Sequence, residues 1–132
     1  MIGLDTNVVL RLLLTDDLAQ KIRATKFIQQ AKRLDTTVII TLAVVLEMEW
    51  VLRSSARMNK TEVLNIFNLL LDSYDIEIDN EKVLEQALHV YENATSDFAE
   101  CLFLAQYQRM GCGTMLTFDA KAARITGVEL VA

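Results

Sequence analysis

The stretch Thr37-Val38-Ile39-Ile40-Thr41-Leu42-Ala43-Val44-Val45-Leu46-Glu47-Met48-Glu49-Trp50-Val51-Leu52 decides the class of the fold. Its first four residues are β-branched, which restricts χ1 and favours a pleated surface, so residues 37–40 are predicted to form a strand. Thr41 can cap a helix running to about Ala56, its hydroxyl accepting from a free amide of the first turn. That helix is apolar nearly all round, so it is expected to be buried, and Glu47 with it. The residues three and four positions from Glu47 are Ala43, Val44, Trp50 and Val51, which offer no cation. Glu49 has Arg53 four residues on, and is expected to form a solvated surface pair. A buried carboxylate without a partner is strongly penalised, so Glu47 should be neutral, paired across the fold, or bound to a metal.

Working outward, the same alternation recurs. Residues 1–4 are short and apolar and end at Asp5, and residues 7–14 read as a helix stopped by Thr15-Asp16-Asp17. Ala24, Phe27, Ile28 and Ala31 share one helical face and predict its burial. Asn59 with Glu62 is a capping-box pattern, followed by a stripe of Val63, Ile66, Phe67 and Leu70. Residues 74–78 alternate like a strand. Leu84, Ala87, Leu88 and Tyr91 form another stripe, and Phe98, Cys101, Leu102 and Ala105 a further one. Residues 114–117 and 128–131 complete the predicted strands. Strands alternating with helices imply an α/β fold with a mostly parallel sheet covered on both faces. Ligands of such sheets sit beyond the carboxyl ends of the strands, where Asp5 and Asp119 are both expected.

A chain of 132 residues with 52% apolar composition fits one globular domain. Its apolar runs are broken by charge well short of a membrane span, and no basic segment followed by an apolar run opens it. A cytoplasmic protein is therefore expected, with Cys101 and Cys112 as reduced core thiols. The net charge of −5 argues against a conventional nucleic-acid binder, but its distribution is uneven. Residues 1–60 carry nine Lys/Arg against six Asp/Glu, and residues 61–132 carry four against twelve. Acids concentrated around bound metal would still allow contact with phosphates. Residues 21–33 hold five cations and no acid. They read as a solvated helix face or as a guide for RNA phosphates.

The acids have structural as well as chemical readings. Asp5 can cap the helix that follows it, although Thr6 and Asn7 can also cap. Asp97 and Glu100 lie three apart and either imitate a capping box or share a cation that offsets their repulsion. Asp119, ahead of Lys121 and Arg124, can cap a short helix. His89 is the only histidine, and its bland reading is a surface or core-edge residue. With one histidine and no glycine-rich phosphate loop, the acids carry the chemistry. Carboxylates suit Mg²⁺ or Mn²⁺, which prefer oxygen ligands and can activate a water for phosphodiester displacement.

The sequence resembles the PIN-domain ribonucleases, most closely the VapC-type toxins of toxin–antitoxin pairs, over essentially its whole length. Leu4-Asp5-Thr6-Asn7, the run from Val45 to Leu52, Asp97-Phe98-Ala99-Glu100-Cys101-Leu102 and Thr117-Phe118-Asp119-Ala120-Lys121 carry the resemblance. It implies a single PIN-like domain with a central, mostly parallel five-stranded sheet flanked by helices. It also implies a metal-dependent endoribonuclease, an RNA substrate, a small inhibitory antitoxin and a homodimer. Asp5, Glu47 and Asp119 match three of the family's acids. The third acid position of the family, most often Asp, is Glu100 here, and Asp97 is the alternative ligand. Thr6, Asn7 and Thr117 stand beside the matched acids as supporting residues. An inactive PIN-like RNA-binding or regulatory module is the competing reading, and an unrelated α/β phosphatase or receiver-type acidic pocket is a third.

Overall fold

In the computed structural model, which describes residues 1–132, the chain divides into two units, Met1–Asp79 and Asn80–Ala132. The first runs β1 (Ile2–Gly3), α1 (Thr6–Leu13), α2 (Leu18–Arg33), β2 (Val38–Ile40), α3 (Leu42–Ser54), α4 (Lys60–Asp72) and β3 (Glu77–Ile78). The second runs α5 (Glu81–Asn93), α6 (Phe98–Arg109), β4 (Met115–Thr117), a 3₁₀ turn (Ala122–Arg124) and β5 (Val128–Leu130). The α/β class expected from the sequence is observed. No helix is long and apolar enough to cross a membrane.

Every strand pair is parallel. In the first unit β2 lies between β1 and β3, with Ile2 opposite Val38 and Ile40 opposite Ile78. The ladder extends past the strand ends, where the Leu4 amide donates to the Ile39 carbonyl at 3.1 Å and the Asp79 amide to the Ile40 carbonyl at 2.9 Å. In the second unit β4 pairs with β5, Thr117 opposite Leu130. The expected continuous five-stranded sheet is thus replaced by a three-stranded and a two-stranded ladder. Each strand pairs with a neighbour in sequence, the commonest outcome for consecutive elements. Hydrophobic pattern marks a strand but does not say which edge it offers. The predicted strand over 74–78 shrinks to Glu77–Ile78, because Tyr74 is fully exposed.

Local sequence accounts for the helix starts. The Val44 amide donates to Oγ1 of Thr41 at 3.3 Å, and Asn59 and Glu62 form the reciprocal capping box. Val63, Phe67 and Leu70 are buried as their stripe predicts, as are Leu84, Ala87, Leu88 and Tyr91 of α5. In α6, Phe98, Cys101, Leu102 and Ala105 are buried, and the Phe98 ring meets Tyr91 edge-on at 5.5 Å.

Three burial expectations need correction. In α3 the buried stripe is Val45, Met48, Glu49 and Leu52, so Glu49 is 3% exposed and Glu47 is exposed. A helix apolar on all sides does not reveal its own phase. Here the inward positions at i, i+3, i+4 and i+7 start from Val45 and take Glu49 with them. The predicted Glu49–Arg53 pair forms at 2.9 Å, but with a buried rather than a solvated carboxylate. On α2 only Ile28 and Ala31 are buried, and Phe27 is left 47% exposed. Both cysteines are free as expected, yet only Cys101 is in the core, Cys112 lying exposed in the turn after α6.

Candidate metal centre

Asp5 lies two residues beyond β1 and is the N-cap of α1, with its own backbone extended. The Asn7 amide donates to its Oδ1 at 3.0 Å. The capping role is therefore real, but it uses one oxygen and leaves Oδ2 available. Thr6 is buried and Asn7 exposed. Asp5 and Asn7 line a groove of about 610 Å³ in the first unit, together with Val8, Arg11, Arg23 and Phe27. Arg11 is held by Asp16 at 3.0 Å and by Gln20, whose Oε1 accepts from its Nε at 2.7 Å.

The basic stretch of α2 divides by partner. Lys21 donates to the Leu14 carbonyl at 3.1 Å and Lys32 pairs with Asp75 at 3.1 Å, so both serve the fold. Arg23 instead faces the groove that Asp5 lines.

Glu47 sits midway along α3 on the outward stripe of Ala43, Trp50 and Ser54. Its carboxylate makes no hydrogen bond or ion pair. The burial expected of Glu47 is therefore not observed; it is an accessible, uncommitted carboxylate.

In the second unit, Asp97 is the N-cap of α6 but its side chain accepts no capping hydrogen bond. The capping-box reading of Asp97 and Glu100 therefore fails. Glu100 follows in the first turn, and its Oε2 is buried with no hydrogen-bond partner. Such an atom carries a desolvation cost that the fold does not offset. The same is true of the Ser96 hydroxyl, which the sequence reasoning passed over. The cap position falls on Asp97, as the spacing to Glu100 predicts, and it is the capping hydrogen bonds that are missing.

Asp119 stands two residues beyond β4. Its amide donates to Oγ1 of Thr117 at 3.0 Å, and its Oδ1 accepts from the Lys121 amide at 2.8 Å. Thr117 thus supports Asp119 by shaping the turn that carries it. As with Asp5, one carboxylate oxygen fixes the loop and the other stays uncommitted. His89 is exposed on α5, in keeping with the surface reading.

No three Asp, Glu, His or Cys side chains stand together as a ready-made cation cage. The donor chemistry nevertheless fits a hard divalent ion. The candidates are all oxygen donors, two of them keep a free oxygen after shaping their turns, and Glu100 has a buried oxygen without a partner.

Parallel ladders with one carboxylate two residues past a strand end in each unit, Asp5 in the first and Asp119 in the second, make this an α/β protein with acidic strand ends. The model of the PIN domain family matches residues 2–128, nearly the whole chain and both of its units, and the chain belongs to that family. PIN domains are typically nucleases that use divalent metals. No curated protein matches the sequence.

Proposed function

We propose that this chain is a metal-dependent endoribonuclease in which Asp5, Glu47, Glu100 and Asp119 hold Mg²⁺ or Mn²⁺, with Asp97 beside the third position. The observation that carries the reading is the Glu100 oxygen, buried and unpartnered in the first turn of a helix whose own cap acid is also unspent. Family membership supplies the chemical class, and the uncommitted oxygens of Asp5 and Asp119 supply donors of the right hardness.

When bound, a divalent cation acidifies an attacking water and stabilises charge developing on the phosphodiester. The chain's own residues set up that chemistry. The Asn7 amide fixes the Asp5 carboxylate at the start of α1, and the Lys121 amide fixes that of Asp119. Glu47 adds negative charge from the middle of a rigid helix, and Arg23 lies along the groove beside Asp5 to meet an incoming phosphate. Thr117 holds the backbone turn that presents Asp119, and Thr6, buried at the start of α1, directly follows Asp5.

The same proposal extends to biology: a single domain acting in the cytoplasm as the VapC-type toxin of a pair, restrained by a small antitoxin and working as a homodimer. The four quoted motifs support it, and so do Phe27 and Trp50, large apolar side chains left exposed on α2 and α3. The Asp5→Asn variant tests the enzymatic core. Asparagine caps a helix as well as aspartate, so the fold should persist while RNA cleavage is abolished. Unchanged cleavage by the purified variant would refute the assignment. Absence of Mn²⁺ binding in calorimetry, with RNA left intact by the wild type, would favour an inactive PIN-like module.

A further inference from the structure

A second cavity, of about 480 Å³, lies wholly within residues 80–132 and is lined by His89, Lys121 and Arg124 without a single acid. That composition is out of keeping with its surroundings. Residues 80–132 hold seven Asp/Glu and only four Lys/Arg, yet half of those cations converge here. Neither Lys121 nor Arg124 forms a salt bridge, so their charges are not spent on the fold. Asn93, Thr95 and Thr126 add neutral hydrogen-bonding groups, and Val90 and Ile125 add apolar wall.

The cationic segment is held rigidly from behind. Ala122, between the two cations, is fully buried in a small cluster with Leu104, Met115 and Val128, and Ile125 packs against it. Asp119 Oδ1 accepts from the Lys121 amide, the Asp119 carbonyl from the Ala123 amide at 3.1 Å, and the Lys121 carbonyl from the Arg124 amide at 3.2 Å. Their backbone is therefore set before any ligand arrives, which lowers the ordering cost of binding. A volume in the small-molecule range, about 300–1,000 Å³, with cations, neutral donors and an apolar wall suits a phosphate joined to a flat or apolar group.

We infer that this cavity binds the phosphate of a nucleotide, with Lys121 and Arg124 on the charge and the wall of Val90 and Ile125 against the nucleoside. The source is either a nucleotide unit of an RNA strand or a free nucleoside monophosphate. The RNA source rests on the nuclease reading above, whereas the phosphate site itself does not.

The test uses the full chain in EDTA, where binding is read without cleavage. A fluorescent single-stranded RNA 12-mer is titrated at several salt concentrations against wild type, K121A/R124A, and K82A/R109A. The last pair removes the other two cations of residues 80–132 and matches the charge change. For an RNA source, K121A/R124A should bind about tenfold more weakly and lose about 1.4 from the slope of log K against log salt, two single-strand phosphate contacts. K82A/R109A should stay near wild type. In the second arm AMP is titrated while the ring protons of His89, the only histidine, are followed by NMR. Saturable movement in wild type that is lost in K121A/R124A, with RNA affinity unaffected, identifies a free nucleotide. Equal weakening in both double variants, or no change in either arm with circular dichroism unaltered, would overturn the inference. If RNA binds through this cavity but is never cut when Mg²⁺ or Mn²⁺ is restored, the nuclease reading fails and the site stands.

Discussion

Replacing Glu100 by methionine should make the metal-free protein more stable and the metal-bound protein less so. The buried Oε2 of Glu100 has no hydrogen-bond partner, and an unsatisfied buried polar group costs about 1–3 kcal/mol. Only one of the two carboxylate oxygens is so placed and the residue is half-buried, so the lower part of that range applies, about 1.5 kcal/mol. Methionine has a similar unbranched shape and adapts to irregular space. Against the gain stands the loss of an acid in the first turn of α6, worth about 0.5 kcal/mol. The net expectation is a stabilisation of about 1 kcal/mol. With an unfolding entropy near 2.1 cal/mol/K per residue over 132 residues, this raises Tm by about 3–4 °C. Metal reverses the order. At a Mn²⁺ concentration of about 100 Kd the wild type gains about 2.7 kcal/mol by mass action, and the variant, lacking a ligand, gains far less. Thermal and urea denaturation with and without Mn²⁺ measure both arms, with Asp97→Asn in parallel. A variant less stable than wild type in EDTA would show that Glu100 serves the fold, and an equal Mn²⁺ shift in both would remove it from the ligand set.

Glu47→Gln should leave the unfolding free energy in urea within about 0.5 kcal/mol of wild type, since the side chain is exposed and unpaired. RNA cleavage should nevertheless fall by about a hundredfold or more, and retained activity would exclude Glu47. Gly127 has φ of +95°, and a Cβ there would meet Gln108 Nε2 at 3.0 Å. Gly127→Ala should therefore cost about 1–2 kcal/mol in urea unfolding, by loosening the turn into β5. Arg53→Ala leaves the Glu49 carboxylate, 4% exposed, without its 2.9 Å partner. A fully buried pair broken this way loses about 3–5 kcal/mol; with Arg53 half in water, about 2 kcal/mol is expected, and an unchanged midpoint would refute the importance of the pair.

What the sequence disclosed, and what it withheld, follows the range of the interactions involved. The capping box of Asn59 and Glu62, the Thr41 cap and the α5 stripe are decided within a few residues, and all three are observed. The same local rules place Asp5 and Asp119 two residues past strand ends. The joining of strands into ladders and the phase of α3 are decided elsewhere. In a helix apolar all round, no local signal says which of Glu47 and Glu49 faces inward, and the Arg53 partner of Glu49 points to the wrong one. Packing turned Val45 and Met48 inward and carried Glu49 in with Arg53 as its partner, leaving Glu47 outward. Residue type and position mark the candidate ligands in the sequence, but the burial expected of Glu47 belongs to its neighbour Glu49. The unpartnered buried carboxylate oxygen is on Glu100 instead. There the sequence supports an ordinary capping box, and the backbone shows an unused cap acid followed by a buried oxygen with nothing to bond. A fold that satisfies Asn59 and Glu62 fully, yet leaves Asp97 without a capping hydrogen bond and the Glu100 oxygen buried and unbonded, carries a cost to stability at Glu100. Cation binding at Glu100, as proposed above, would offset that cost.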